Sequence, residues 1–316
     1  MKKLLRITVL ICILLLSLLG ISGYYMVEYA LSPPNRGKDI EGSYTYMYKE
    51  YPYLKPYMDS LHHVGALRDT FIYAPDGVRL HGYYAKAPNS TRKTAVIVHG
   101  YTDNAIRMMM IGYMYNKSLG FNILLPDLRY SGLSEGDHLQ MGWNDRKDVA
   151  QWISIAPTLF GDSTEIVVHG ISMGAATTMM LSGELQPESV KCFVEDCGYT
   201  SAWDEFKGEL KNQFNLPAFP LLHAANLMCK IRYGWSFIEA DATKQVAKCH
   251  LPMLFIHGEN DTFVPTSMVY PLYKAKPQPK ELWLVPSEGH ARSFHNYPKE
   301  YTQKVKQFVE KYLDIP

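Results

Sequence analysis

The stretch Glu165-Ile166-Val167-Val168-His169-Gly170-Ile171-Ser172-Met173-Gly174-Ala175-Ala176 is the most informative segment of the chain. Residues 165–168 form a short, β-branched apolar run of the kind found in strands buried on both faces. Residues 174–182 read as helix. Between them stands Gly-x-Ser-x-Gly, with a strand directly before it and a helix directly after. A tight strand-to-helix turn forces the Ser172 hydroxyl out above the sheet, and glycines on both sides permit the close packing that such a turn requires. The helix N-terminus then aims backbone N–H groups at the reacting centre. A turn serine without chemistry is the competing reading, and the flanking strand and helix weigh against it.

The same alternation of strand and helix extends in both directions. Residues 70–73 and 78–84 flank Pro75-Asp76-Gly77, a hairpin with a strong turn signal. A strand over 94–98 ends at His99-Gly100, a helix-like stretch covers 106–119, and a strand follows at 122–125. A helix near 143–155 leads to the serine strand. Further strands are expected at 192–195, at 253–256 ending in His257-Gly258, and at 282–285 ending in Pro286, with an amphipathic helix over 303–313 closing the chain. Short apolar strands separated by helices imply an α/β fold: a mostly parallel central sheet with helices on both faces. Ligands of such sheets bind beyond the carboxyl ends of the strands. Residues 200–248 interrupt the rhythm. Two helix-like stretches broken by Pro217 and Pro220 read as a small helical cap, and its aromatic residues (among them Phe206, Phe214, Phe219 and Trp235) are assigned to packing more than to a pocket.

A serine hydroxyl needs a base, and the base needs an orienting acid. Both are available on later loops of the same sheet edge. Asp261 follows His257-Gly258-Glu259-Asn260, and His290 follows Glu288-Gly289 after the next strand. Asp261 is expected to accept from His290 Nδ1, which turns Nε2 towards Ser172. Glu195-Asp196, after the preceding strand, is the alternative source of the acid; the His-Gly-x-x-Asp spacing favours Asp261. The backbone N–H groups of Tyr101 and Met173 are assigned to an oxyanion hole, where one donor is worth about 3 kcal/mol of transition-state stabilisation. His99, His169 and His257 each precede a glycine at a strand end. With His290 they suggest a metal site, but no acidic second layer accompanies them, so no metal or cofactor is expected.

The N-terminus answers where the protein resides. Lys2, Lys3 and Arg6 precede an uncharged run over residues 7–27, and about 20 apolar residues span a bilayer. The basic flank favours a cytoplasmic N-terminus with the remainder outside. A signal-anchor is the preferred reading, and a signal peptide cleaved near Gly20, Ser22 and Gly23 is the alternative. Residues 28–68 then form a Tyr-rich connector. It holds a loop at 32–37 and Tyr44, Tyr46, Tyr48, Tyr51, Tyr53 and Tyr57, read as a short amphipathic helix that packs through aromatic faces. The α/β domain is expected over 69–316. Of 316 residues, 47% are hydrophobic and 20% charged, which excludes wholesale disorder. Lys+Arg 32 against Asp+Glu 31 lacks the basic excess of a nucleic-acid binder. Five cysteines are too few for a disulfide scaffold, and they are read as mostly buried free thiols.

Taken together, the His99-Gly100 loop, Asp127-Leu128-Arg129-Tyr130-Ser131-Gly132-Leu133-Ser134, the Gly170–Gly174 elbow, His257-Gly258-Glu259-Asn260-Asp261 with Val264-Pro265, and Gly289-His290 resemble the α/β-hydrolase group of esterases, lipases and serine-aminopeptidase-like enzymes. The resemblance covers residues 69–316. It implies hydrolysis of a carboxylic ester or amide through an acyl-enzyme on Ser172. Tyr130 and Leu133 replace glycines present in some versions of their segment, so Asp127 and Arg129 are read as loop anchors. Two alternatives remain. One is an aminopeptidase, for which Glu205, Glu209 and Glu239 offer acidic groups. The other is a membrane-tethered binding protein that kept the fold and lost catalysis.

Overall fold

The computed structural model describes residues 1–34 and 36–313. Asn35 of the expected 32–37 loop and the last three residues of the 69–316 span lie outside the described residues. The chain divides into two compact units, Met1–Pro34 with Ser201–Asp241, and Asn35–Thr200 with Ala242–Pro316.

The larger unit is built on one eight-stranded sheet. Its strands are β1 (Arg68–Tyr73), β2 (Arg79–Ala85), β3 (Lys93–Val98), β4 (Asn122–Pro126), β5 (Glu165–Ile171), β6 (Val190–Asp196), β7 (Met253–Gly258) and β8 (Lys280–Val285), in the order β1-β2-β4-β3-β5-β6-β7-β8. The first two pairings are antiparallel, and the other five are parallel. Gly77, at φ 84°, closes the β1–β2 turn by donating to Ala74 O at 2.8 Å.

The helices are α1 (Lys2–Leu31), α2 (Ile40–Glu50), α3 (Leu54–His63), α4 (Met109–Tyr113), α5 (Asp145–Phe160), α6 (Met173–Ser182), α7 (Ala202–Phe214), α8 (Leu221–Tyr233), α9 (Ala242–Val246), α10 (Val269–Ala275), α11 (Ser293–Asn296) and α12 (Pro298–Val309). Because side chains alternate along a strand, Ala95 and Ile97 of β3 join a buried cluster with Met47, Leu54 and Met58 of α2 and α3 and Phe308 of α12. Trp152 of α5 meets Gly82 of β2, where an added Cβ would stand 3.0 Å from the indole. The Tyr-rich segment therefore contributes α2 and α3 to the core of the sheet unit.

Two local expectations change. The stretch expected as one helix over 106–119 is a 3₁₀ turn (Ala105–Met108), then α4, then a π turn (Met114–Ser118). Asn116 in that wide turn donates to Lys86 O and Phe121 O and accepts from Tyr57 Oη, so side-chain bonds offset the irregular backbone. The closing helix starts at Pro298 rather than near 303, because proline is pre-organised for the first helical position and has no N–H to leave unpaired.

In the smaller unit, α1 packs on α8 through Gly23, Val27 and Leu31, which are spaced four apart and buried. Trp235 and Phe237 form the buried centre of the α7–α8 pair, with Phe206 4.6 Å from Phe237. The sheet unit resumes at Ala242, so α9, which falls within the expected 200–248 insertion, belongs to the sheet unit.

Candidate active site

Parallel strands place their carboxyl ends on one edge, and this brings together residues scattered along the chain. At the end of β5, Ser172 adopts φ 58° and ψ −121°, a conformation that non-glycine residues seldom take and that surrounding packing must hold. The glycines explain how it is held. A Cβ on Gly170 would stand 2.0 Å from Gly174 O, and one on Gly174 would stand 2.1 Å from Val98 O. Only bare Cα atoms let α6 start this close to β3 and β5.

The Ser172 Oγ lies 2.9 Å from His290 Nε2, and His290 Nδ1 lies 2.7 Å from Asp261 Oδ2. The other Asp261 oxygen accepts from the N–H groups of Phe263 and Val264, both at 3.0 Å. Burial pushes the Asp261 carboxyl up, but the His257 and His290 rings facing it outweigh burial and hold it below its usual value. An ionised acid, an imidazole with its Nδ1–H directed at it, and a hydroxyl at Nε2 have the geometry along which a proton can be relayed. Glu195 and Asp196 lie outside it. Glu195 Oε2 accepts from Gly198 N–H at 3.0 Å, and Asp196 Oδ2 accepts from Tyr301 Oη at 3.0 Å.

The Gly100-Tyr101 turn runs beside the serine, since a Cβ on Gly100 would stand 3.5 Å from Ser172 Cβ. His99 fixes this turn. Its Nε2 accepts from Leu128 N–H at 2.9 Å, so Nδ1 carries the proton and donates to Gly100 O at 2.8 Å. Burial lowers the His99 pKa and keeps this tautomer neutral. Met173 opens α6, with its N–H in the first turn.

The strand-end histidines each have their own hydrogen-bond partners. His169 sits between Tyr115 Oη (3.1 Å) and Tyr301 Oη (2.9 Å), and burial lowers its pKa to about 3. His257 Nε2 donates to Val264 O at 3.0 Å. Among the described residues, Cys197, Asp261 and His290 have ligand-type atoms within 4.8 Å of one another. Burial raises the Cys197 thiol well above its ordinary value, which opposes the thiolate a metal needs. All five cysteines are free thiols.

Asp127 and Arg129 hold loops. Asp127 accepts from Ala105 N–H, Leu133 N–H and His81 Nδ1, while Arg129 forks onto Asp148 at 2.6 and 2.9 Å.

The Ser172–His290–Asp261 line opens into a cleft of about 530 Å³ whose walls include Tyr46, Met47, Tyr51, Tyr101, Met108 and Phe263. Three of these come from the Tyr-rich segment, which the sequence reading assigned to packing alone. No periodicity announces this role, because the adjacent Tyr46 and Met47 both line the cleft, Tyr46 from an exposed position and Met47 from within the buried cluster.

A sequence profile of the prolyl oligopeptidase family matches residues 113–315. The chain is 29% identical over 238 residues to the uncharacterized protein YqkD of Bacillus subtilis (strain 168), covering 75% of this chain and 77% of that one. It is 28% identical over 253 residues to the alpha/beta hydrolase domain-containing protein WAV2 of Arabidopsis thaliana, covering 77% and 79%. Among solved structures, the Pyrococcus furiosus esterase Pf2001 superposes with a TM-score of 0.64 at 23% identity, over 78% of this chain and 93% of that one. The Pyrococcus horikoshii acylaminoacyl peptidase superposes with a TM-score of 0.57 at 18% identity, over 77% and 40%. At such identities the structural likeness is one of fold. With a family match spanning most of the sheet unit, the chain belongs to the prolyl oligopeptidase family and is a hydrolase of the α/β-hydrolase fold.

Proposed function

We propose that the protein is a carboxylesterase-type serine hydrolase that works through an acyl-enzyme on Ser172. The observation that carries this reading is the hydrogen-bonded line Ser172–His290–Asp261, at 2.9 and 2.7 Å. His290 Nε2 takes the hydroxyl proton as Ser172 Oγ attacks the carbonyl. The N–H groups of Met173 and Tyr101 receive the developing oxyanion. His290 then returns the proton to the departing alcohol. Water enters and gives a proton to His290 as its oxygen attacks the acyl carbon, and His290 returns that proton to Ser172 Oγ as the acid leaves. Asp261 keeps the imidazole oriented and stabilises its cation.

Esters are favoured over peptides with a free amino end by the cleft's charged lining. The lining carboxylate Asp103 lies 3.9 Å from Arg107, and the lining Arg292 is paired with Glu50 at 3.3 Å, so each guanidinium already has its carboxylate. A substrate ammonium gains nothing from that balance. Of the acidic groups considered for amine binding, Glu239 already pairs with Lys230 at 2.7 Å. The esterase and the acetyl xylan esterase among the structural neighbours agree with this choice. The acylaminoacyl peptidase keeps a blocked peptide as the second reading.

The N-terminal helix is assigned as an uncleaved signal-anchor with the hydrolase outside the cytoplasm. Residues Lys2–Leu31 form one helix long and apolar enough to cross a bilayer. The cleavage point considered near Gly23 would fall inside that helix, where Gly23 lies against Ala224.

The test is fluorophosphonate labelling of full-length protein, followed by turnover of p-nitrophenyl acetate and of N-acylated and free aminoacyl amides. Wild type should label and cleave the ester fastest, and Ser172→Ala should do neither. Labelling that survives in Ser172→Ala would remove the assignment, and a free aminoacyl amide cleaved fastest would replace it with an aminopeptidase.

A further inference from the structure

Between Lys211 and Lys230 the chain carries no Asp, Glu, Lys or Arg. This stretch includes the α7–α8 loop, Asn215-Leu216-Pro217-Ala218-Phe219-Pro220, in which Phe219 is 72% exposed and Leu216 is 42% exposed. Scattered exposed apolar residues are ordinary, so their position relative to α1 is what matters.

Two contacts set the register of α1 against α8 within the smaller unit. Gly23 abuts Ala224, where an added Cβ would stand 2.8 Å from the backbone, and Glu28 is ion-paired with Arg232. Sequence numbers rise together along both helices, so the two run in the same direction. Phe219 precedes Ala224 by five residues and therefore lies about 7 Å towards the N-terminal end of α1, at 1.5 Å per residue. That is the level of Leu18. The exposed apolar length of α1 begins at Leu4, and about 20 residues cross the hydrocarbon. The far boundary thus falls near Gly23, where Tyr24 and Tyr25 are exposed as an interfacial aromatic pair.

We infer that the start of α8 is a membrane-docking element, which buries Phe219 in the outer headgroup and acyl boundary beside the anchor helix. The inference rests on the reading that α1 spans the membrane. The depth of about 7 Å matches that of interfacial segments. The loop's composition fits as well. Pro217 and Pro220 have no N–H to leave unpaired where water is scarce. Its occupant is the lipid surface itself, because Phe219 and the bilayer-crossing length of α1 share the same level in one compact unit, while the other end of the loop follows Phe214, which meets α1 at Tyr29.

The experiment uses the full-length chain in phosphatidylcholine vesicles. Cys12 is the one exposed native cysteine, so Cys12→Ala provides the background. Phe219→Cys, Leu14→Cys and Ile231→Cys are each labelled with an environment-sensitive nitrobenzoxadiazole dye. Quenching is then measured with nitroxide-bearing lipids and with aqueous iodide. The labels at positions 219 and 14 should lose most of their emission to the lipid nitroxide and little to iodide. The label at position 231, about two turns beyond Ala224, should behave in the opposite way. If the 219 label follows iodide while the 14 label follows lipid, the docking element is refuted and the anchor stands. A 219 label shielded from both quenchers would show the loop covered by protein, and would also refute it. If the 14 label is not quenched by lipid, the anchor reading fails and takes the docking element with it.

Discussion

Replacing Glu195 with Gln should stabilise the protein at pH 8 and change the balance far less at pH 5. Glu195 is fully buried on β6. One oxygen accepts from Gly198 N–H, and Oε1 has no hydrogen-bond partner among the described residues. Burial is the chief cause that raises its pKa from 4.5 to about 8, against the opposing pull of His257. The sign follows from linkage. Below pH 4.5 the group is protonated in both folded and unfolded chains and costs nothing. As pH rises, the unfolded chain ionises first, so folded stability falls until pH passes about 8. At 1.36 kcal/mol per unit, the loss over that window is on the order of 4 kcal/mol. Gln keeps the acceptor for Gly198 and cannot ionise. At roughly 2 °C per kcal/mol for a domain of this size, its melting temperature should exceed that of wild type by about 8 °C more at pH 8 than at pH 5. Asp145, raised by burial to about 7, is present in both proteins and cancels in the comparison, whereas Asp196, which adds to the rise of Glu195, is relieved of a like charge in the variant and changes the difference in the same direction. Thermal unfolding of the two proteins in detergent, at both pH values, measures the difference. A melting-temperature gap that is the same at pH 5 and pH 8 would refute the reasoning.

Asp261→Asn should lower kcat on p-nitrophenyl esters by about 10³–10⁴ with little change in KM, because the imidazole loses its orienting anion. Asp196→Asn should cost less than tenfold, since its Oδ2 is bound to Tyr301; comparable losses in the two variants would reassign the acid. Gly174→Ala should destabilise by about 3 kcal/mol or more in denaturant titration, because its Cβ would sit 2.1 Å from Val98 O on a backbone that cannot yield. Tyr301→Phe strips partners from both His169 and Asp196 and should cost about 1–3 kcal/mol in the same titration. A cost near zero would show that the buried network is not satisfied as described.

Short-range chemistry made much of this protein legible before any coordinates. The Gly170–Gly174 elbow announces itself because a strand, a strained turn and a helix follow one another without a gap. Asp261 and His290 are legible because each lies just past a short apolar run, where a parallel sheet presents its ligand edge. The Tyr-rich segment was different. Met47 and Tyr46 are adjacent, and both line the cleft, although Met47 is also part of the buried cluster and Tyr46 is exposed. The π turn at Met114–Ser118 was equally hidden, because it depends on Asn116 finding partners at Lys86 and Phe121.

Local patterning alone was enough to call for a mostly parallel sheet, a strained serine turn and a bilayer-length apolar helix, because each follows from residues that are neighbours along the chain. The distances of 2.9 and 2.7 Å that join Ser172, His290 and Asp261 required the tertiary fold, as did the choice of Asp261 over Asp196 as the partner of His290 and the seating of α1 on α8. These depend on groups far apart in sequence meeting at an ångström scale, and contacts of that kind are set by the packing of the whole sheet and its helices.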